Sequence, residues 1–380
     1  MKNNNMNKKK IGILTHWSIP NFGSFLQAYS LRNVISSIAT DSEVEQIAYM
    51  NKVHSKMYYG MEMHELYKRW FINLGFYKDC YKRFKRRKQI KAIRKFINHY
   101  YNSIPHSIKY TAKTIQKAHY DVLVLGSDIL WDYSISFFDH DKFVFGLGID
   151  SEKKISYAAS FGTVKPESNH PQYVITGINE LNDISVRDVN SKIIVEKISG
   201  KKAQVVLDPT LLWDFDNDEK IIGPNIDCKY VAVYGSFFTE EQINFVKVFC
   251  RENSYKIIYL DSVGDTCSWC DVFVDASSIN PFEWAGYIKH CEFLMTCTFH
   301  GLMFGLIFNK KIVFNATQFM KDKASSFIKE IGMEEKLLSY KPIKEIISLP
   351  WDYDTVNKKI EALKKESMRF LRLGIGVDNE

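Results

Sequence analysis

The sequence lacks the signatures that would settle a function at sight. It has no GxGxxG and no GxxxxGK[ST], so the glycine-rich cradles for dinucleotides and for nucleotide phosphates are missing. There is no HExxH and the ten histidines are scattered, so no metal site is indicated and no cofactor is expected. Seven cysteines, an odd number over 380 residues, argue against a disulfide framework and predict a reducing compartment. A single CxxC pair, Cys267 and Cys270 in "CSWC", has no second pair at zinc spacing and no thioredoxin-like context. No stretch approaches the roughly 18 apolar residues of a membrane span. At the N-terminus, "MKNNNMNKKKIGILTHW" has basic residues followed by too short an apolar run for a signal peptide. The expectation is therefore a cytoplasmic protein.

What is present suits a globular enzyme. Hydrophobic residues make up 46% and charged residues 25%, which supplies enough apolar surface for real cores and excludes disorder as the general state. A chain of 380 residues exceeds the usual size of one core, so two domains are expected. The net charge of +7 is unevenly spread: residues 78–95, "KDCYKRFKRRKQIKAIRK", hold ten Lys or Arg against one Asp. Apolar residues recur there at helical spacing, which predicts a basic amphipathic helix or helix pair. Such a face is either simply solvated or suited to peripheral contact with an anionic membrane surface; nucleic acid is not the expected partner.

Periodicity divides the chain in two. "KIGILTHW" (10–17) reads as a strand, "FLQAYSLRNVISSI" as a helix with apolar residues at 25, 28, 29, 31, 35 and 38, and "EVEQIAYM" as a second strand. After the basic insertion, at about 52–115, come "YDVLVLGSD", "KISYAASFG", "DISVRD" and "AQVVLDPTLLW", each a short β-rich run ending in polar or glycine residues. Residues 214–229 are polar, contain Gly-Pro and suit a linker between a first domain (1–213) and a second (230–350). In the second, Thr239 and Gln242 form a capping box, and Asn280, Pro281 and Glu283 mark another helix start. Residues 351–380 carry a long amphipathic helix expected to pack on one domain. The fold class is α/β: two Rossmann-like domains facing a cleft, as in GT-B enzymes.

The strand ends place the candidate residues. In open α/β sheets ligands bind beyond the carboxyl ends of the strands, which selects Ser127, Asp128, Ser160 and Arg187. In "TCTFHG", a helix capped by Thr298 and beginning at Phe299 puts His300 in its first turn, where free N–H groups and the helix dipole favour an anion. Gly301 permits close approach of a ligand to the backbone. A histidine there suits general acid–base work; equally, it suits a buried ring bonded to a neighbouring carbonyl.

Six pieces in order, "IGILTHWSIPNFGSFLQAYSL", "DVLVLGSDILW", "ISYAASFG", "ISVRDVNS", "VVLDPTLLW" and "PFEWAGYIKHCEFLMTCTFHGLMFGLIFNKKIVF", resemble the polysaccharide pyruvyl transferase family. The resemblance implies a transferase that uses phosphoenolpyruvate to place a pyruvate ketal on a sugar of a surface polysaccharide or its lipid-linked precursor, releasing phosphate. It implies His300 as acid/base or donor-contacting histidine and Arg187 as a donor-anion ligand, with Thr298, Phe299, Gly301 and Glu283 on the donor side. Asn21, Gly23, Ser24, Gln27, Ser127, Asp128 and Ser160 would line the cleft on the acceptor side. One position departs from the family pattern: where an arginine often stands two residues before the histidine, this chain has Thr298. Alternative readings are a GT-B glycosyltransferase using a nucleotide sugar and a non-catalytic glycan- or membrane-binding relative.

Overall fold

The computed structural model describes residues 8–59, 103–136, 138, 140–260, 267–338 and 342–377, with scattered positions between 77 and 91. The basic helix expected at 78–95 lies for the most part outside the described residues.

Two parallel sheets organise the chain. The first runs β2-β1-β3-β4-β5-β6, built from β1 (Lys9–Leu14), β2 (Ser42–Gln46), β3 (His119–Leu125), β4 (Asp150–Ala159), β5 (Asp183–Val186) and β6 (Gln204–Val205). Its helices include α1 (Phe22–Ile38), α2 (Lys52–Tyr59), α3 (Gln172–Glu180) and α4 (Val189–Ser199). The second runs β11-β10-β7-β8-β9. It comprises β7 (Tyr230–Tyr234), β8 (Lys256–Leu260), β9 (Val272–Val274), β10 (Phe293–Thr296) and β11 (Lys311–Phe314). Its helices are α5 (Glu240–Asn253), α6 (Pro281–His290) and α7 (Phe299–Ile307), followed by α8 (Gln318–Glu330), α9 (Glu334–Leu337) and α10 (Ile343–Ser348). Both sheets are doubly wound. Strand order reverses between β1 and β3 in the first and between β7 and β10 in the second, and each reversal opens a crevice at the carboxyl ends.

Short apolar strands buried on both faces explain the parallel sheets: Ile11, Ile13, Val122, Val124 and Leu125 are each at most 2% exposed. The predicted helix starts are present as sequence-local chemistry. Thr239 and Gln242 close one capping box at the start of α5, and Asn280 and Glu283 close another at the start of α6. Residues 214–229 carry neither helix nor strand.

Three expectations change. The run 203–213 forms only the two-residue β6, then a 3-10 turn over Pro209–Leu211 capped by Asp208. Pro209 has no N–H for a ladder, and the Asp208 carboxylate takes the Thr210 N–H instead. The first helix shows a single apolar stripe in sequence, yet every residue from Phe22 to Leu31 is buried. It is wedged between the two halves: Phe22 stacks on Trp284 at 5.8 Å and Tyr29 meets Phe282 edge-on at 5.0 Å. Finally the long C-terminal helix α11 (Tyr353–Ile375) touches both halves rather than one. Its first turn donates Tyr353 Oη to Lys310 O, while farther along Ser367 Oγ accepts from Leu207 N at 3.0 Å and Ile375 O accepts from Lys9 Nζ at 2.7 Å. An interface this apolar holds the halves together: each buried large aromatic contributes roughly 1.5–3 kcal/mol.

Candidate active site

The two crevices meet. From the first sheet the turn after β3 brings Ser127 and Asp128, the turn after β4 brings Ser160, and β5 ends at Arg187. From the second sheet β10 ends at Thr296, and Thr298 caps α7 by accepting the Gly301 N–H at 3.0 Å. That cap fixes Phe299 and His300 as the first helical residues, so the sequence-level geometry at this joint is the one observed.

Arg187 is the hub. Its guanidinium Nη1 lies 3.3 Å from Asp128 Oδ1 and 3.2 Å from Asp208 Oδ2, with its side chain only 3% exposed. The guanidinium carbon stands 4.2 Å above the Phe299 ring, a cation–π contact across the two halves. His300 Nε2 faces the same Asp208 Oδ2 at 3.8 Å, too long for a hydrogen bond. Both His300 Nε2 and Arg187 Nε are buried and have no hydrogen-bond partner among the described residues. Leaving a buried polar atom unpaired costs about 1–3 kcal/mol, a cost that a bound ligand offering the partner would remove.

The electrostatics follow from burial and charge together. Burial alone would raise the pKa of Asp128, but Arg187, then His300, His16 and Lys323, hold it well below the usual carboxylate range. Asp208 is likewise held down against burial by His300 and Arg187. Lys323, on α8, is 6% exposed. Burial, reinforced by Arg187, pulls its pKa down to about 7, opposed by Asp128, Asp188 and Asp132. Arg187 and Lys323 share a cavity of about 130 Å³ with Asp208 and Phe299. His16, after β1, is a further buried base near Asp128; burial lowers it to about 4, and its ring stacks on Phe138 at 4.5 Å.

The residues named from sequence fall in several places. Ser24, Asp128 and Arg187 form one linked group, with Ser24 Oγ donating to Asp128 Oδ2 at 2.9 Å, and Gly23 lies against the His300 ring. Gln27 and Ser127 form a buried layer beneath, Ser127 Oγ donating to Gln27 Oε1 and Gln27 Nε2 to Thr15 Oγ1 at 3.1 Å. Ser160 donates to Asp188, the N-cap of α4, at 2.6 Å. Asn21 and Glu283 are helix caps: Asn21 Oδ1 accepts the Ser24 N–H at 3.0 Å, and the Glu283 carboxylate accepts the Asn280 N–H at 2.7 Å. The structure does not bring Glu283 to the Arg187 group: among the described residues no hydrogen bond or ion pair links them, and its carboxylate serves the Asn280 cap. Lys323, Asp208 and His16 were not singled out from sequence. Asp208 carried a signal, an Asp before Pro at the end of a β-rich run; Lys323 sits in an ordinary helical pattern. Among the described residues, one group has ligand atoms close enough to hold an ion, His119, Asp121 and Glu152, at the opposite ends of β3 and β4. His119 there already pairs with Asp150 at 2.8 Å.

A pair of doubly wound domains with a charged, buried site at their facing carboxyl ends is a GT-B-like transferase scaffold. Residues 21–314 match the family model for polysaccharide pyruvyl transferase, and the chain belongs to that family. No curated protein matches the chain. Among solved structures it is similar to the S. aureus MnaA–UDP complex, at 10% identity over 95% of this chain and 90% of that one, TM-score 0.46. It is also similar to a UDP-N-acetylglucosamine 2-epimerase, at 9% identity over 98% and 97%, TM-score 0.49. The E. coli heptosyltransferase WaaC with ADP aligns at 8% identity over 82% and 89%, TM-score 0.38. Among the described residues no helix is long and apolar enough to cross a membrane.

Proposed function

We propose that the protein transfers the pyruvyl group of phosphoenolpyruvate to a sugar of a surface polysaccharide or its lipid-linked precursor, forming a pyruvate ketal and releasing phosphate. The observation that carries this reading is the convergence of Arg187, Lys323 and His300 around the Asp128 and Asp208 carboxylates. The donor brings a carboxylate and a phosphate, and two buried cations with a shared cavity suit those charges. Lys323 supplies the second cation that Thr298, in place of an arginine, does not.

His300, steadied by Asp208, gives a proton to the methylene carbon, which makes the adjacent carbon electrophilic. A first sugar hydroxyl adds there and its proton returns to the His300 imidazole; the second hydroxyl then forms its C–O bond as the C–O bond to phosphate breaks, its proton leaves with the phosphate, and the ketal ring closes. Arg187 and Lys323 hold the donor and offset charge on the departing phosphate. The stretch 78–95 is assigned peripheral contact with an anionic membrane surface, where a lipid-linked acceptor would be met.

The test is phosphate release from phosphoenolpyruvate dependent on a glycan acceptor. His300→Ala is expected to abolish release while leaving the thermal unfolding transition in place. Full activity in that variant, or turnover of a nucleotide sugar with none of phosphoenolpyruvate, would overturn the reading.

A further inference from the structure

The cavity holding Arg187 and Lys323 does not end at those cations. It runs outward from a buried floor, Arg187, Asp208 and Lys323, to a rim that includes Glu330 at the end of α8 and Glu366 and Leu363 of α11. Both carboxylates are exposed. The rim is completed by Val205 on the edge strand β6 and Val189 at the start of α4, which are 37% and 43% exposed.

We infer that this outer half of the cavity is the acceptor-sugar subsite, and that α8 and the C-terminal helix select the acceptor. The inference rests on the pyruvyl-transfer reading. Ketal formation needs two sugar hydroxyls within roughly 3–3.5 Å of the donor carbon. His300 does not itself line this cavity but faces its floor residue Asp208 at 3.8 Å, so an anion gripped on the floor sits beside the histidine and leaves the outer half of the cavity as the space continuous with it. The rim has the chemistry of a carbohydrate site: carboxylates that accept hydroxyl hydrogen bonds, beside small apolar side chains that meet the C–H face of a ring. The same carboxylates repel a second anion, so they suit a neutral sugar rather than another copy of the donor. Arg187 Nε, buried and unpartnered among the described residues, marks the floor as a ligand position independently of the rim.

Two measurements test the inference. In the transfer assay, Glu366→Gln and Glu330→Gln together are expected to raise the acceptor KM about tenfold and to change the phosphoenolpyruvate KM less than twofold. An unchanged acceptor KM, or equal rises in both, overturns it. The second measurement needs no acceptor: wild-type protein and Val205→Trp are treated with glyoxylate and cyanoborohydride at neutral pH, and modification of Lys323 is followed by peptide mass spectrometry. The amine and aldehyde condense to an imine with loss of water, and the borohydride reduces it. Lys323 is expected to react in wild type and at least about fivefold more slowly in Val205→Trp, with other lysines unaffected. Equal rates, or no reaction in wild type, show that the rim does not lead to the floor and sink the inference. Absence of any phosphoenolpyruvate-dependent turnover counts against the proposed function and leaves the labelling result to decide the route.

Discussion

Gly23 and His300 belong to different halves of the molecule and touch: a β-carbon at position 23 would stand 2.3 Å from Cβ and Cγ of the histidine and 2.4 Å from Nδ1. No real side chain tolerates that distance, so the first turn of α1 sets the position of the imidazole.

Gly23→Ala is accordingly expected to act on chemistry rather than on helix formation. Alanine improves helix propensity by about 1 kcal/mol, yet a clash that reaches the histidine's Cβ cannot be relieved by turning the ring alone: the contact between α1 and α7 must shift and carry the imidazole away from Asp208, an overpacking cost of roughly 1–3 kcal/mol. The expected outcome is a fall of at least about tenfold in kcat together with a lowered Tm. Unaltered kcat would mean that the contact is slack.

Lys323 ties donor binding to pH. Its pKa of about 7 lies well below the ordinary lysine value, so its charge is lost in the free protein as pH rises through neutrality. The kcat/KM for phosphoenolpyruvate is expected to fall about tenfold per pH unit above that point. In Lys323→Met the value should be lower and this part of the profile flat; a retained slope would assign the titration elsewhere.

The Asp128 carboxylate is held below its ordinary pKa, so its stabilising contribution is complete above the unfolded value of about 4 and is lost as pH falls through the folded one. Asp128→Asn removes one partner of a buried pair and should cost roughly 3–5 kcal/mol at neutral pH. Its Tm should also depend less on pH below about 4 than that of wild type. Thermal melts across that range check both statements.

Neutralising Arg86, Arg87 and Lys88 should weaken sedimentation with vesicles containing phosphatidylserine, and added salt should weaken wild-type binding in the same direction. Equal binding by both proteins would return the stretch to a solvated surface.

Much of this was legible in sequence because it is local. Apolar runs of strand length gave the β-strands, with β9 passed over because "DVFV" is so short. Thr298, Thr239 and Asn280 announced helix starts because a cap is a contact between residues three apart. Lys323 was illegible for the opposite reason. Its pattern in "FMKDKASSFIK" is that of a surface lysine, and the charges that act on it, Arg187 and Asp128 on the first sheet, lie in the other half of the chain. Asp208 was hidden inside a run that reads as strand until Pro209 ends it.

By itself the sequence determined the α/β alternation, the helix caps and the presence of Arg187 and His300 at strand and helix ends, all set by periodicity and neighbouring residues. Only the tertiary structure decided which of these meet. Packing α1 between the halves set Gly23 beneath His300, and the meeting of the halves brought Phe299 and Lys323 to Arg187. Burial then moved their charges away from ordinary values, and burial is a property of the folded whole.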